Sequence, residues 1–394
     1  MVLKLLLNIL KLFKSRVYYS DTIDRLHFCV SSLLYSSFAI FVAVKQYFGR
    51  PFTCWTQPPY VLTESGLRVS PDLSRGGSVG SLEQYTEDFC KTQNYFLMGS
   101  NSTGNTRVEY AYFHWVPACL AMQGVCFFIP NMVWRALCTR SGVNIETVLK
   151  TVGLSATMPV DSRRKELFYL ARYMRSTLRG KHKGRLTCLY LSVKLLFLAN
   201  IVFQFLAIQA FLSIDSWYWG FQILRDWHAN IELGKDTQLD SFMHRFPQSV
   251  QCNFKHNGAT QTKHSVECTV NTSYANARIY LFLYFWLWML TPPTVINVIH
   301  WAAVTQSSCS RVGEVEHCLH VAHPGVERPA IQRFVDQTLG ADGVLILRFV
   351  SSQTTELISA EIVSNLWTDH SMSGVVRNNS DASDNLLLRE ETRL

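Results

Sequence analysis

Eleven cysteines, and a stretch holding Cys309, His317, Cys318, His320 and His323, are the residues of this 394-residue chain whose types could do chemistry. A metal centre is the first chemistry to test. The spacing of these residues matches none of the paired Cys and His patterns that build a structural zinc site, so no metal is expected. Catalysis fares no better: there is no phosphate-cradling Gly-rich loop, no nucleophile elbow and no His-Glu-x-x-His element, so the sequence implies no enzyme and no cofactor. Disulfide formation remains. It depends on which cysteines meet an oxidising compartment, and so on the elements that carry them.

Those elements are set by long uncharged runs. Hydrophobic residues make up 48% and charged residues only 17% of the chain, and a helix crossing about 30 Å of hydrocarbon needs roughly 20 apolar residues. Phe28 to Val44 is the first such run. Tyr110 to Leu137 is the second, uncharged between Glu109 and Arg135, and its Pro117, Gly124 and Pro130 predict a kink. Leu186 to Ile214 is the third, interrupted only by Lys194, whose stem is long enough to carry its ammonium to the headgroups. Ile279 to Val304 is the fourth, where Pro292 and Pro293 should break or bend the helix.

Orientation follows from the basic residues. Between the second and third runs, Arg163, Arg164, Lys165, Arg172, Arg175 and several others face only Glu146, Asp161 and Glu166, which makes that loop cytoplasmic. An even number of spans then leaves both termini inside. The net charge of +8 suits an anionic inner leaflet, so membrane lipids are expected partners and nucleic acid is not.

The expected fold class is an all-α membrane protein: four transmembrane helices, a small disulfide-clipped extracellular cap of a helix plus a short β-hairpin, and a helical cytoplasmic domain. In order, these are a cytoplasmic N-terminal helix over 1–27, spans over 28–46, 110–134, 186–214 and 278–304, outside loops over 47–109 and 215–277, a cytoplasmic loop over 135–185, a cytoplasmic C-terminal domain over 305–368 and a disordered tail over 369–394. Lys4, Asn8, Lys11 and Ser15 line one side of the amphipathic N-terminal segment. Ser70 to Ser81 reads as a polar tip, and Val250 to Phe254 with His264 to Val270 reads as a hairpin around Asn257-Gly258. Asn144 to Arg179 and Ala330 to Trp367 carry helical patterns expected to pack together, while Val344 to Val350 fits helix or strand.

Each outside loop then holds two cysteines, Cys54 and Cys90 in the first, Cys252 and Cys268 in the second, and four cysteines allow three pairings. The other seven fall in spans or inside and are expected to be thiols. Two glycosylation sequons, at Asn101 and Asn271, also land outside, whereas a third at Asn378 lies inside.

Several stretches resemble one family. Lys45-Gln-Tyr-Phe-Gly-Arg-Pro-Phe-Thr-Cys-Trp55 resembles the innexin segment that leads into the first extracellular loop. Tyr112-Phe-His-Trp-Val-Pro117 is similar to the innexin signature Tyr-Tyr-Gln-Trp-Val-Pro, carried here by Tyr112, Trp115, Val116 and Pro117, with Phe113 and His114 as departures. Asp24-Arg-Leu26, Trp219-Gly-Phe-Gln-Ile-Leu224, Ile279-Tyr-Leu-Phe-Leu-Tyr-Phe-Trp286 and Glu361-Ile-Val-Ser-Asn-Leu-Trp367 extend the likeness over nearly the whole chain. Two cysteines per loop fit innexins and their pannexin relatives. Cys268-Thr-Val-Asn-Thr-Ser replaces the more apolar, proline-containing stretch usual there.

The resemblance implies a structural subunit of a gap junction channel, in a homo- or hetero-oligomer with other innexin-type subunits, docked to an opposing ring on a neighbouring cell. It implies localisation in the plasma membrane at cell junctions, a wide pore for ions and small metabolites, and the pairings Cys54 with Cys268 and Cys90 with Cys252. An unpaired, pannexin-like channel and a non-conducting four-pass adhesion or scaffold protein are the other readings. A tetraspanin-like scaffold would need a Cys-Cys-Gly element that both outside loops lack.

Overall fold

The structure, a computed structural model, describes residues 20–55, 60–63, 66–69, 87–90, 95–98, 106–109, 112–140, 144–178, 184–214, 216–232, 246, 249–257 and 261–372. The expected N-terminal amphipathic helix, the Ser70 to Ser81 tip, Asn101, Asn378 and the tail beyond Met372 lie outside the described residues.

In chain order the helices are α1 (Thr22–Tyr47), α2 (Tyr112–Arg140), α3 (Ile145–Ser155), α4 (Val160–Leu178), α5 (Arg185–Leu212), α6 (Trp219–Glu232), α7 (Asn271–Gln306), α8 (Ser308–Ala322), α9 (Arg328–Leu339), α10 (Gly340–Gln353) and α11 (356–372). Four of them, α1, α2, α5 and α7, are long and apolar enough to cross a membrane. Of the break or bend expected at Pro292 and Pro293, the break does not occur: helix α7 is continuous through both prolines. Proline's fixed φ is compatible with a helix, so each of the two costs a ladder bond, at the carbonyls of Trp288 and Met289, without ending the helix.

The chain divides into two compact units. One holds the residues up to Val30, Phe128–Ala199 and those from Pro292 onward. It is all helix, and its short helices form for readable reasons. Asn144 caps α3, its Oδ1 accepting from the Thr147 N–H at 3.2 Å, and Ile145, Val148, Leu149 and Val152 then bury one face at helical spacing. Leu167, Leu170, Ala171, Met174 and Leu178 do the same on α4. The run Val344 to Val350 is helix, within α10, and is buried on nearly every side by α3, α4, α8 and α9. A helix wrapped all round loses the periodic polar face that would have told it from a strand. The two helical patterns of Asn144 to Arg179 and Ala330 to Trp367 share one core, as expected.

The second unit holds Ser31–Phe127 and Asn200–Thr291. Here the expected hairpin forms from β6 (Ser249–Asn257) and β7 (Gln261–Val270), and three short strands from the first loop join it: β1 (Phe52–Trp55), β4 (Tyr95–Met98) and β5 (Thr106–Glu109). The antiparallel order is β1-β7-β6-β4-β5, with β2 (Tyr60–Thr63) and β3 (Gly66–Val69) paired separately. Close helix contacts in this unit depend on small residues: a Cβ on Gly124 of α2 would stand 3.2 Å from Ser36 Oγ of α1.

Candidate functional site

Two constellations stand out, one in each unit. In the second unit, strand alternation puts Val250 and Cys252 of β6, and Val266, Cys268 and Val270 of β7, on one buried face together with Cys54 and Cys90. Cys54 and Cys268 are direct partners in the β1 to β7 register and form a disulfide across it, with Cα atoms 4.0 Å apart. Cys90, on the helical stretch 87–90, bonds Cys252 of β6. The sulfurs of Cys54, Cys90 and Cys268 lie within 4.8 Å of one another, so the two bonds form a single knot at the middle of the sheet. That is the one cluster with metal-ligand spacing among the described residues, and its sulfurs are committed to disulfides. The knot ties the chain leaving α1 to the strand entering α7. The backbone N–H of Asn271 adds a bond to the Pro51 carbonyl at 3.0 Å, and the Asn271 amide donates to Arg50 O at 3.1 Å and Thr53 Oγ1 at 2.8 Å.

In the first unit, Lys194 does not reach outward as its stem length suggested. It is 1% exposed, and its Nζ lies 2.9 Å from Asp21 and 2.8 Å from Asp24. The Tyr190 hydroxyl (3.2 Å) and the Asn297 amide (3.4 Å) donate to the same Asp21 oxygen, as does the Trp301 indole. The Lys194 ammonium also sits 4.9 Å from the Tyr190 ring centroid and 5.7 Å from that of Trp301. Tyr190 in turn packs tilted against Trp134 and edge-to-face against Trp301 and Phe349, with centroids 5.0, 4.8 and 5.3 Å away. Two carboxylates within ion-pair distance compensate the buried ammonium in place, so it has no need to reach the headgroups. Burial pushes the Asp21 carboxyl up, and the Lys194 ammonium with the hydrogen bonds from Lys194, Trp301 and Asn297 outweighs it, so the net displacement is downward. Thus Asp21, which caps α1, and Asp24 in its first turn are anchored to α5, and Asp21 also to α7. A second acid, Asp342 of α10, caps α5 from outside its own helix, accepting from the N–H groups of Gly184 (2.9 Å) and Thr187 (2.8 Å).

The signature residues fall on the first turns of α2. Tyr112 opens the helix, Val116 is buried, Pro117 is half-buried and Trp115 is 64% exposed. The Gln46 amide of α1 donates to His114 Nδ1 at 3.4 Å. Exposed apolar residues recur along the long helices, for example Met122, Val125, Ile129 and Met132 on α2, and Phe282, Met289, Ile296 and Ile299 on α7. Such stripes need lipid or neighbouring subunits to cover them.

The innexin family model matches residues 20–65 and 75–370 of the chain. Among curated proteins the chain is similar to Innexin unc-9 of Caenorhabditis elegans, 28% identical over 379 residues that cover 89% of this chain and 92% of that protein. Innexin-3 of the same organism is 27% identical over 377 residues, covering 89% and 84%. Innexin-19 of Caenorhabditis briggsae is 24% identical over 402 residues, covering 89% and 86%.

Proposed function

The chain belongs to the innexin family, and from that membership we propose that it is a channel subunit that docks across two cells, with a ring of subunits passing ions and small metabolites. It is a multi-pass membrane protein, with four helices long enough to span. The observation that carries the reading is the family match over nearly the full chain. The disulfide knot supports it physically: a docking surface ordered in advance avoids the entropy cost of ordering it on contact. In this reading the sheet unit faces outside, α3, α4 and α8 to α11 lie in the cytoplasm with both termini, and the apolar stripes of the long helices meet lipid and neighbouring subunits. Few charges lie within the spans, which suits a size-limited pore rather than a dedicated ion filter. Tyr112, Trp115, Val116 and Pro117 shape the entry of the second span. No catalytic step is proposed.

An unpaired channel is the second reading, favoured by the sequons at Asn101 and Asn271. Asn271 is exposed, at the edge where β1 and β7 meet α7, and a glycan there would stand on the cap. Because Thr272 and Ser273 are buried in the first turn of α7, transfer of that glycan must precede folding.

Conductance between two apposed cells expressing the chain, recorded with single cells in parallel, decides between the readings. Junctional current is the expected outcome. Current confined to single cells would select the unpaired channel, and the next variants would be Asn101→Gln and Asn271→Gln.

A further inference from the structure

Where α1 ends and α7 begins, the second unit holds a pocket of about 350 Å³ whose lining includes Phe41, Val42, Lys45, Arg50, Thr272 and Asn276. Its base is polar and unpaired. Asn276 is 1% exposed, and neither atom of its side-chain amide has a hydrogen-bond partner among the described residues; Thr272 is 4% exposed, and its hydroxyl has none either. Buried polar groups left in this state are costly unless something outside the chain pairs them.

The lining specifies what that something is. Lys45 and Arg50 are both exposed at the rim, and no lining residue is acidic, so the pocket attracts an anion. Thr272 and Asn276 belong to the first turns of a 36-residue helix, whose N-terminal end favours negative charge. A phosphate fits the donors: two cationic side chains, the Thr272 hydroxyl and Asn276 Nδ2. Asn276 Oδ1 is an acceptor and requires a donor, which a bare phosphate diester lacks and a headgroup hydroxyl supplies. Phe41, 46% exposed, forms the apolar wall, and Ile40 and Val44 are exposed beside it on α1, so the pocket opens along a surface suited to an acyl chain.

We infer that this pocket binds an anionic phospholipid through its phosphate and a headgroup hydroxyl, as a phosphatidylglycerol-type lipid presents them. The test is native mass spectrometry of the purified full-length protein offered equimolar phosphatidylglycerol and phosphatidylcholine. The wild type should retain the anionic lipid about tenfold over the zwitterionic one, a preference worth about 1.4 kcal/mol. Lys45→Gln/Arg50→Gln should abolish the preference. So should Asn276→Leu, which removes the hydrogen-bonding groups while leaving thermal stability in lipid-free detergent unchanged or higher. Arg163→Gln/Arg164→Gln, outside the pocket, should leave the preference intact. Absence of preference in the wild type, its persistence in Lys45→Gln/Arg50→Gln, or equal loss in the Arg163 and Arg164 variant would each overturn the proposal. Displacement of the lipid by soluble glycerol 3-phosphate at equal concentration would overturn the lipid assignment in favour of a soluble phosphate. Should Asn276→Leu fail to fold, Lys45→Gln/Arg50→Gln, altered only at exposed side chains, still decides.

Discussion

Removing the Lys194 ammonium leaves Asp21 and Asp24 close together without their counter-ion, with Asp24 buried. Lys194→Met should therefore destabilise the protein by about 3–5 kcal/mol, the usual cost of breaking a buried ion pair from one side. Adding Asp21→Asn and Asp24→Asn should recover most of that loss, since no charge is then stranded. Thermal denaturation of the purified single and triple variants checks both, and equal loss in the two would contradict the account. Asp21 also gives a pH signature. Its carboxyl titrates below its ordinary value of 3.8 when folded, so its contribution is present above about pH 4 and is lost as pH falls through the depressed folded value. The gap in melting temperature between wild type and Asp21→Asn should accordingly be full at neutral pH and close on acidification. None of this cluster was legible in the sequence. Lys194 reads there as a lone charge in a span, because its partners lie 170 and 173 residues away. Two acids three residues apart just before the first span, with a lysine near the matching end of the third, are the signal that could have found it.

The helices that cross the membrane were legible, because solvation by hydrocarbon imposes the same rule on every residue of a span. The hairpin of β6 and β7 was legible for a local reason, a turn between two short apolar runs. Strands β1, β4 and β5 were not, since four residues carry little pattern and they pair with a hairpin far along the chain. Family resemblance alone implied which cysteine meets which, a choice that residue types leave three ways open. Cys90→Ser should loosen the helical stretch from β6, cost about 2–5 kcal/mol and abolish junctional conductance. Normal conductance between cell pairs carrying it would refute the role given to the knot. The seat of α6 on α7 is tested at Gly220, where any Cβ would run into the Tyr284 ring. Tyr284 is pinned there by its hydroxyl bond to the Trp217 carbonyl at 2.8 Å, so the ring cannot step aside cheaply. Gly220→Ala should lower the melting temperature and surface expression, and Gly220→Ala with Tyr284→Leu should restore part of both.

At the scale of the whole molecule, the sheet is assembled from two stretches of chain separated by two membrane-spanning helices. Strands β1 and β4 come from the first stretch and do not touch; the hairpin of β6 and β7 lies between them. Cys54 waits for a partner 214 residues further on, and Cys90 for one 162 residues on. At about 5–20 residues per second, the ribosome makes the Cys54 partner roughly 10 to 40 seconds later. Until Cys252 is made, Cys54 and Cys90 share one short stretch with no legitimate mate. Nascent chains arrested before Cys252 should thus show either two free thiols or a mistaken Cys54 to Cys90 bond, and maturation becomes limited by thiol exchange rather than by insertion of the spans. The last hairpin to be synthesised is the keystone, and a chain that stalls before it has every span but the fourth and no closed sheet.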